Sequence, residues 1–226
     1  IHFMVEGTGS GAAIREFTLG ISLQRRGDKA NRNNDGHAGA STASVLATSR
    51  ALTEAEERSF ESQHGYEPLG VPIAMDAVAI YVNTQNPIRE LTLAQVDGIF
   101  GSARKRGAPA EINTWGKAGL EDLWAGQVIH RYGRTKPSAT REFFIRTVLK
   151  GGEFRGDVRE LPGTASEILA IARDPLGIGY AGSAVETSLV RMVPIAEEAG
   201  RPAIVPSFET VADGAYPLGR SLYLYV

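Results

Sequence analysis

An α/β fold is predicted for this chain of 226 residues, and three observations predict it. Strands are read along the chain at 71–82, a long β-prone run, and at 127–132, 177–182 and 221–226. Helix starts stand between them. Thr53 with Glu56, Thr92 with Gln95 and Thr164 with Glu167 all have the spacing in which a hydroxyl and a carboxyl or amide cap a first turn reciprocally. Finally, 42% hydrophobic and 22% charged residues are ordinary for a globular protein and allow a core that does not depend on disulfides.

The elements follow in order. Residues 1–5 (Ile-His-Phe-Met-Val) read as a strand that runs into Gly7-Thr8-Gly9-Ser10-Gly11 and then a helix over about 12–19. Residues 21–43 include a polar Gly/Asn-rich stretch at 24–36, read as an exposed loop. The strand at 71–82 ends at the breaking pair Asn86-Pro87. The strand at 127–132 ends in Gly133-Arg134-Thr135-Lys136-Pro137-Ser138-Ala139-Thr140, followed by a helix over about 139–149. No internal repeat or low-complexity tract is present.

Several function classes lose support here. The chain has no cysteine, so a thiolate nucleophile and a Cys-ligated zinc are excluded. A net charge of −2 lacks the basic excess usual in a nucleic-acid binder. The histidines at 2, 37, 64 and 130 have no metal-ligand spacing, so no metal or cofactor is expected and they read as structural or surface residues. Glu56-Glu57 and Glu197-Glu198 read as solvated faces. The loop at 7–11 lacks the Gly-Lys-Ser/Thr ending of a P-loop and, with Ala12, the dinucleotide spacing. There is no G-x-S-x-G elbow.

Two segments share one design: a strand, a loop of small and hydroxyl residues, then a helix. They are Gly7 to Gly11 and Arg134 to Thr140. A helix N-terminus offers unpaired amides and a partial positive charge. Small residues let an anion approach, hydroxyls add donors, and Arg134 adds a charged planar fork. The plainer reading of each part is a tight turn for the glycine loop, an N-cap for Ser138 and a surface ion pair for Arg134.

Taken in order, these segments resemble the PstS-type family, the phosphate-binding subunits of bacterial phosphate ABC importers. The likeness runs through Glu6 to Gly11, Thr48-Ser49-Arg50, Asp76 to Asn83 with Asn86-Pro87, Leu91 to Phe100, Trp115-Gly116, Gly133 to Thr140, Gly177-Ile178-Gly179-Tyr180 and Tyr216 to Tyr225. The resemblance implies a two-lobed type II periplasmic-binding-protein fold, with residues 1–83 and 190–226 in one lobe and 84–189 in the other. It implies a phosphate ligand, a membrane permease as partner, a periplasmic or cell-surface location and no catalysis. A phosphate sensor or scavenger of the same fold is the alternative, and an enzyme acting on phosphate esters or nucleotides a more distant one. By carry-over, Thr8 and Ser10 would bind the anion from one lobe. Arg134, Ser138, Ala139 through its amide, and Thr140 would bind it from the other. Gly11, Ser44 and Ser49 are weaker candidates.

The chain departs from the family pattern in three ways. Ala139 stands where the family has glycine, which a helical backbone tolerates. Ser44 stands where several phosphate binders have an aspartate that accepts a proton from the ligand, and Lys136 falls where some members are acidic. Losing that acceptor implies weaker discrimination against sulfate. The family's opening strand and terminal helices are also expected to be lacking.

Overall fold

Why the chain folds as it does is clearest in its longest strand. In the computed structural model, which describes residues 10–20, 45–136, 138–185 and 187–226, β2 spans Gly70–Asn83. Its C-terminal half alternates between two apolar environments. Val78, Ile80 and Val82 pack with Val96, Ile99, Phe100 and Trp115, whereas Ala79 and Tyr81 pack with Tyr132, Ile168 and Ile171. A strand apolar on both faces belongs in the middle of a sheet covered on both sides, and its continuous Ala-Val-Ala-Ile-Tyr-Val run encodes that position.

The chain forms two units. The smaller takes in residues up to Ala74 and returns for Ser221–Val226; the larger is Met75–Arg220. The crossings fall inside β2 and inside β9 (Gly219–Tyr225).

In the smaller unit, helix α1 (Ser10–Leu19) buries Ile14 and Phe17. Phe17 stacks on Phe60 of α2 (Glu54–His64), with ring centroids 4.7 Å apart. Strand β1 (Leu46–Thr48) pairs antiparallel with β9, Leu46 opposite Tyr225. The capping box at Thr53 and Glu56 forms as expected, and Gly65 closes α2 in the left-handed conformation at φ 79°. Glu57 is exposed, but Glu56 is not the solvated residue expected. Both its oxygens take the fork of Arg50 at 2.7 Å, which holds its pKa down to about 2. His64 sets Nε2 3.2 Å from the Phe17 carbonyl oxygen, a structural role.

In the larger unit the sheet runs β2, β6 (Gly177–Gly182), β4 (His130–Arg134), β5 (Arg159–Leu161). Strand β6 is antiparallel to β2 and parallel to β4, and β4 is parallel to β5. Strand β7 (Val190–Val193) also pairs with β2, and β3 (Leu91–Thr92) pairs with β8 (Ile195–Ala196). The helices are α3 (Leu93–Phe100), α4 (Ala139–Thr147), α5 (Thr164–Ala172) and α6 (Phe208–Ala212). Thr92 and Gln95 form the expected box.

Two expectations change. The strand foreseen at 127–132 begins only at His130, because the preceding segment is tied elsewhere: Gln127 O accepts from Trp115 N, and Ile129 N donates to Asn113 O. The box foreseen at Thr164 and Glu167 does not form. Gly163 is the N-cap, and the Ser166 hydroxyl accepts from Gly163 N instead. The expectations for residues 1–5 and for the loop at 21–43 lie outside the described residues.

Candidate anion site at the β4–α4 junction

Four of the residues singled out in the sequence flank one short connection. Arg134 ends β4, Ser138 is the N-cap of α4, and Ala139 and Thr140 open that helix. Ser138 is extended, at φ −149° and ψ 120°, and its Oγ accepts from Arg141 N at 3.3 Å. The plain reading of Ser138 as a cap therefore holds, yet it leaves the hydroxyl proton free to donate elsewhere. Helix geometry gives the amides of Ala139 and Thr140 no intrahelical acceptor. Ala139 is helical, so a β-carbon at this position costs nothing in backbone conformation.

What holds this junction in place is an aromatic stack. Phe144 of α4 lies 4.0 Å from the ring of Tyr180, and Phe154 stacks on both. Tyr180 then links three elements. Its ring packs on α4, its hydroxyl accepts from Arg134 N at 3.3 Å, and its own amide donates to Glu167 Oε1 of α5 at 2.9 Å. Burial raises the Tyr180 pKa, so the hydroxyl stays neutral. The Gly-Ile-Gly-Tyr signature now has a physical cause. A β-carbon on Gly179 would lie 2.7 Å from Ile171 Cδ1 and 2.8 Å from Glu167 Oε1, so any larger residue here would displace both α5 side chains.

Arg134 is not in the surface ion pair that its residue type suggests. Its Nη1 donates to Thr164 Oγ1 at 2.8 Å and its Nη2 to Pro162 O at 3.4 Å, both neutral. Its Nε is buried with no hydrogen-bond partner. With Nη1 anchored, the Nε–Nη2 edge is left as the side of the guanidinium suited to a tetrahedral oxyanion. Arg141 contributes a second cation one turn into α4. It lies 4.9 Å over the Phe154 ring, donates from Nη2 to Glu160 Oε1 at 3.0 Å, and also leaves its Nε buried and unpartnered.

The other predicted residues are placed differently. Thr8 and Ser44 lie outside the described residues, and Ser10 and Gly11 are described only as the start of α1. Ser49 sits in the bend after β1 in the smaller unit. Lys136 is exposed in the connection, and His130 is paired with Asp174 Oδ2 at 2.7 Å. Sequence reasoning missed Thr164 and Glu167 as neighbours of Arg134, and Arg141 in the first turn of α4. Glu167 was within reach: in Thr-Ala-Ser-Glu-Ile-Leu-Ala-Ile-Ala it shares the apolar i, i+4 face with Ile171, an odd position for a solvated carboxylate.

With this geometry established, comparison with known proteins gives the class. Residues 1–226 match the family model described as the PBP superfamily domain, and the chain belongs to that superfamily. Among curated proteins it is similar to the phosphate-binding protein PstS of Pseudomonas aeruginosa, at 38% identity over 82% of this chain. It spans 57% of that relative's length. Among solved structures it resembles an ABC-type phosphate transport receptor from Vibrio cholerae, with a TM-score of 0.71 at 22% identity, covering 100% of this chain and 75% of the other. PstS from Borrelia burgdorferi matches with a TM-score of 0.59 at 19% identity, over 80% and 66% of the two chains. These structural likenesses establish the fold.

Proposed function

We propose that the chain binds inorganic phosphate as the solute-binding component of a phosphate ABC importer, outside the cytoplasmic membrane and without catalysing a reaction. The observation that carries the reading is the convergence, at one strand–helix junction, of two first-turn amides, a Ser hydroxyl with its proton free, and an Arg Nε without an acceptor. The similarity to proteins named for phosphate binding supports it.

The physical chemistry fits reversible capture. Micromolar affinity needs about 8 kcal/mol. The helix terminus supplies up to about 2 kcal/mol when partly buried, and each charge-assisted hydrogen bond about 1.5–3 kcal/mol. Arg134, Ser138 and the amides of Ala139 and Thr140 together reach that scale. For the anion to take the Nε–Nη2 edge, the contact of Nη2 to Pro162 O must open. At 3.4 Å and exposed, it costs little to break. Thr8 and Ser10 are carried into the proposal by family likeness. Calorimetric titration with phosphate tests the reading. Micromolar or tighter binding by the parent, lost in Arg134→Ala, is the expected result; binding that survives in Arg134→Ala would overturn this site.

A further inference from the structure

Helix α5, which anchors Arg134 through Thr164, also carries a carboxyl group that phosphate binding as described above does not use. Glu167 is fully buried. Its Oε1 accepts from Tyr180 N at 2.9 Å, and its Oε2 is buried with no partner. Thr164, which anchors Arg134 Nη1, is three residues earlier on α5 and so on the same helix face as Glu167. One corner of the unit thus holds a buried acceptor lacking a donor, Glu167 Oε2, and a buried donor lacking an acceptor, Arg134 Nε. The two side chains interact electrostatically.

We propose that Glu167 is a positioning residue for the phosphate site: ionised, it competes with the anion for the Arg134 guanidinium, and protonated, it leaves that guanidinium to the ligand. This inference rests on the phosphate reading above and gives that site a built-in dependence on pH.

The surroundings decide when the competitor is active. On β4 the neighbouring groups are Arg134 and Tyr132, whose hydroxyl is taken by Asp174. On β5 they are Arg159 and Glu160, the latter paired with Arg141 of α4. On β6 the neighbour is Tyr180, and on β7 Arg191 donates to the carbonyls of Asn86 and Ile88 instead. Arg134 is therefore the cation that acts on Glu167, and its pull is smaller than the cost of burying the charge. The balance raises the Glu167 pKa to about 8. Below that pH the carboxyl is neutral and Arg134 is free to hold the anion; above it, the new negative charge repels phosphate and draws Arg134 away. By linkage, bound phosphate raises the Glu167 pKa further.

The test compares the parent with Glu167→Gln, titrated with inorganic phosphate from pH 6.5 to 9. Glutamine keeps the acceptor for Tyr180 N and cannot ionise. Phosphate's own protonation affects both proteins alike and cancels in the ratio of their Kd values. The expected ratio is near one at pH 6.5 and about fivefold in favour of the variant at pH 9, on its way to the tenfold limit that one pKa unit of coupling sets. A ratio that stays flat overturns this inference alone, whereas a parent that fails to bind at pH 6.5 overturns the phosphate reading with it. If the variant does not fold, carboxyl carbon resonances of the parent give the answer: the Glu167 titration must move up on adding phosphate, and an unmoved midpoint overturns the proposal.

Discussion

Ser138 caps α4 and is proposed to donate to the anion, and separating the two tests how the site is built. Its Oγ accepts from Arg141 N at 3.3 Å, long enough to put the cap toward the weak end of its range. Ser138→Ala removes cap and hydroxyl together, and the expected stability loss is about 1 kcal/mol. In a chain of this size that lowers Tm by about 2–4 °C. Ser138→Gly removes the same hydroxyl but keeps an acceptable N-cap, so its loss is only a few tenths of a kcal/mol. The ligand side behaves otherwise. Both variants lose one hydrogen bond to a charged ligand, about 1.5–3 kcal/mol, or roughly 10- to 100-fold in Kd. Thermal melts followed by circular dichroism read the first quantity and phosphate calorimetry the second. The reasoning requires stability to differ between the two variants while affinity falls equally in both. Parent-like phosphate affinity in both would refute Ser138 as a ligand and leave it a cap only.

Four further expectations follow from single residues. Arg131 is buried and donates to the carbonyls of Ile99, Ile112 and Ile129 and to Asp157, so Arg131→Ala should cost about 3–5 kcal/mol in a urea melt. Glu56 has a depressed pKa, so its pairing with Arg50 contributes stability above the ordinary carboxylate range, lost as pH falls toward about 2. Glu56→Gln, with the pair partly exposed, should cost about 1 kcal/mol at pH 7 and nothing near pH 2 in acid-dependent urea melts. Glu167 has a raised pKa, so the sign reverses: the parent should lose stability relative to Glu167→Gln as pH rises from the ordinary carboxylate range to about 8, then no further. By the family likeness that sets Ser44 at the acidic acceptor's position, excess sulfate should displace phosphate in a competition titration.

The sequence was most readable where local chemistry decides the structure. The Thr53 and Thr92 boxes formed because both residues are free to cap, and β6 kept its expected bounds of 177–182, where Gly179 sits close against α5. Thr164 and Glu167 have the same spacing, yet tertiary packing overrode it. Glu167 faces Tyr180 rather than solvent, and Thr164 serves Arg134. Strands β5, β7 and β8 run two to four residues, too short for alternation to register, and exist because a neighbour supplies their partners. At the site, the Arg134 to Thr140 pattern located the junction, since cap and helix start are local. The residues behind it come from α5 and β6, some thirty to fifty positions later, and no spacing within one element could bring them forward.

The most direct test of the account is to crystallise the chain with phosphate and locate the anion. Phosphate oxygens are expected within hydrogen-bond distance of the Arg134 Nε–Nη2 edge, Ser138 Oγ and the amides of Ala139 and Thr140, with the contact to Pro162 opened. Phosphate bound away from the α4 terminus, with Arg134 still held on Thr164 and Pro162, would contradict it.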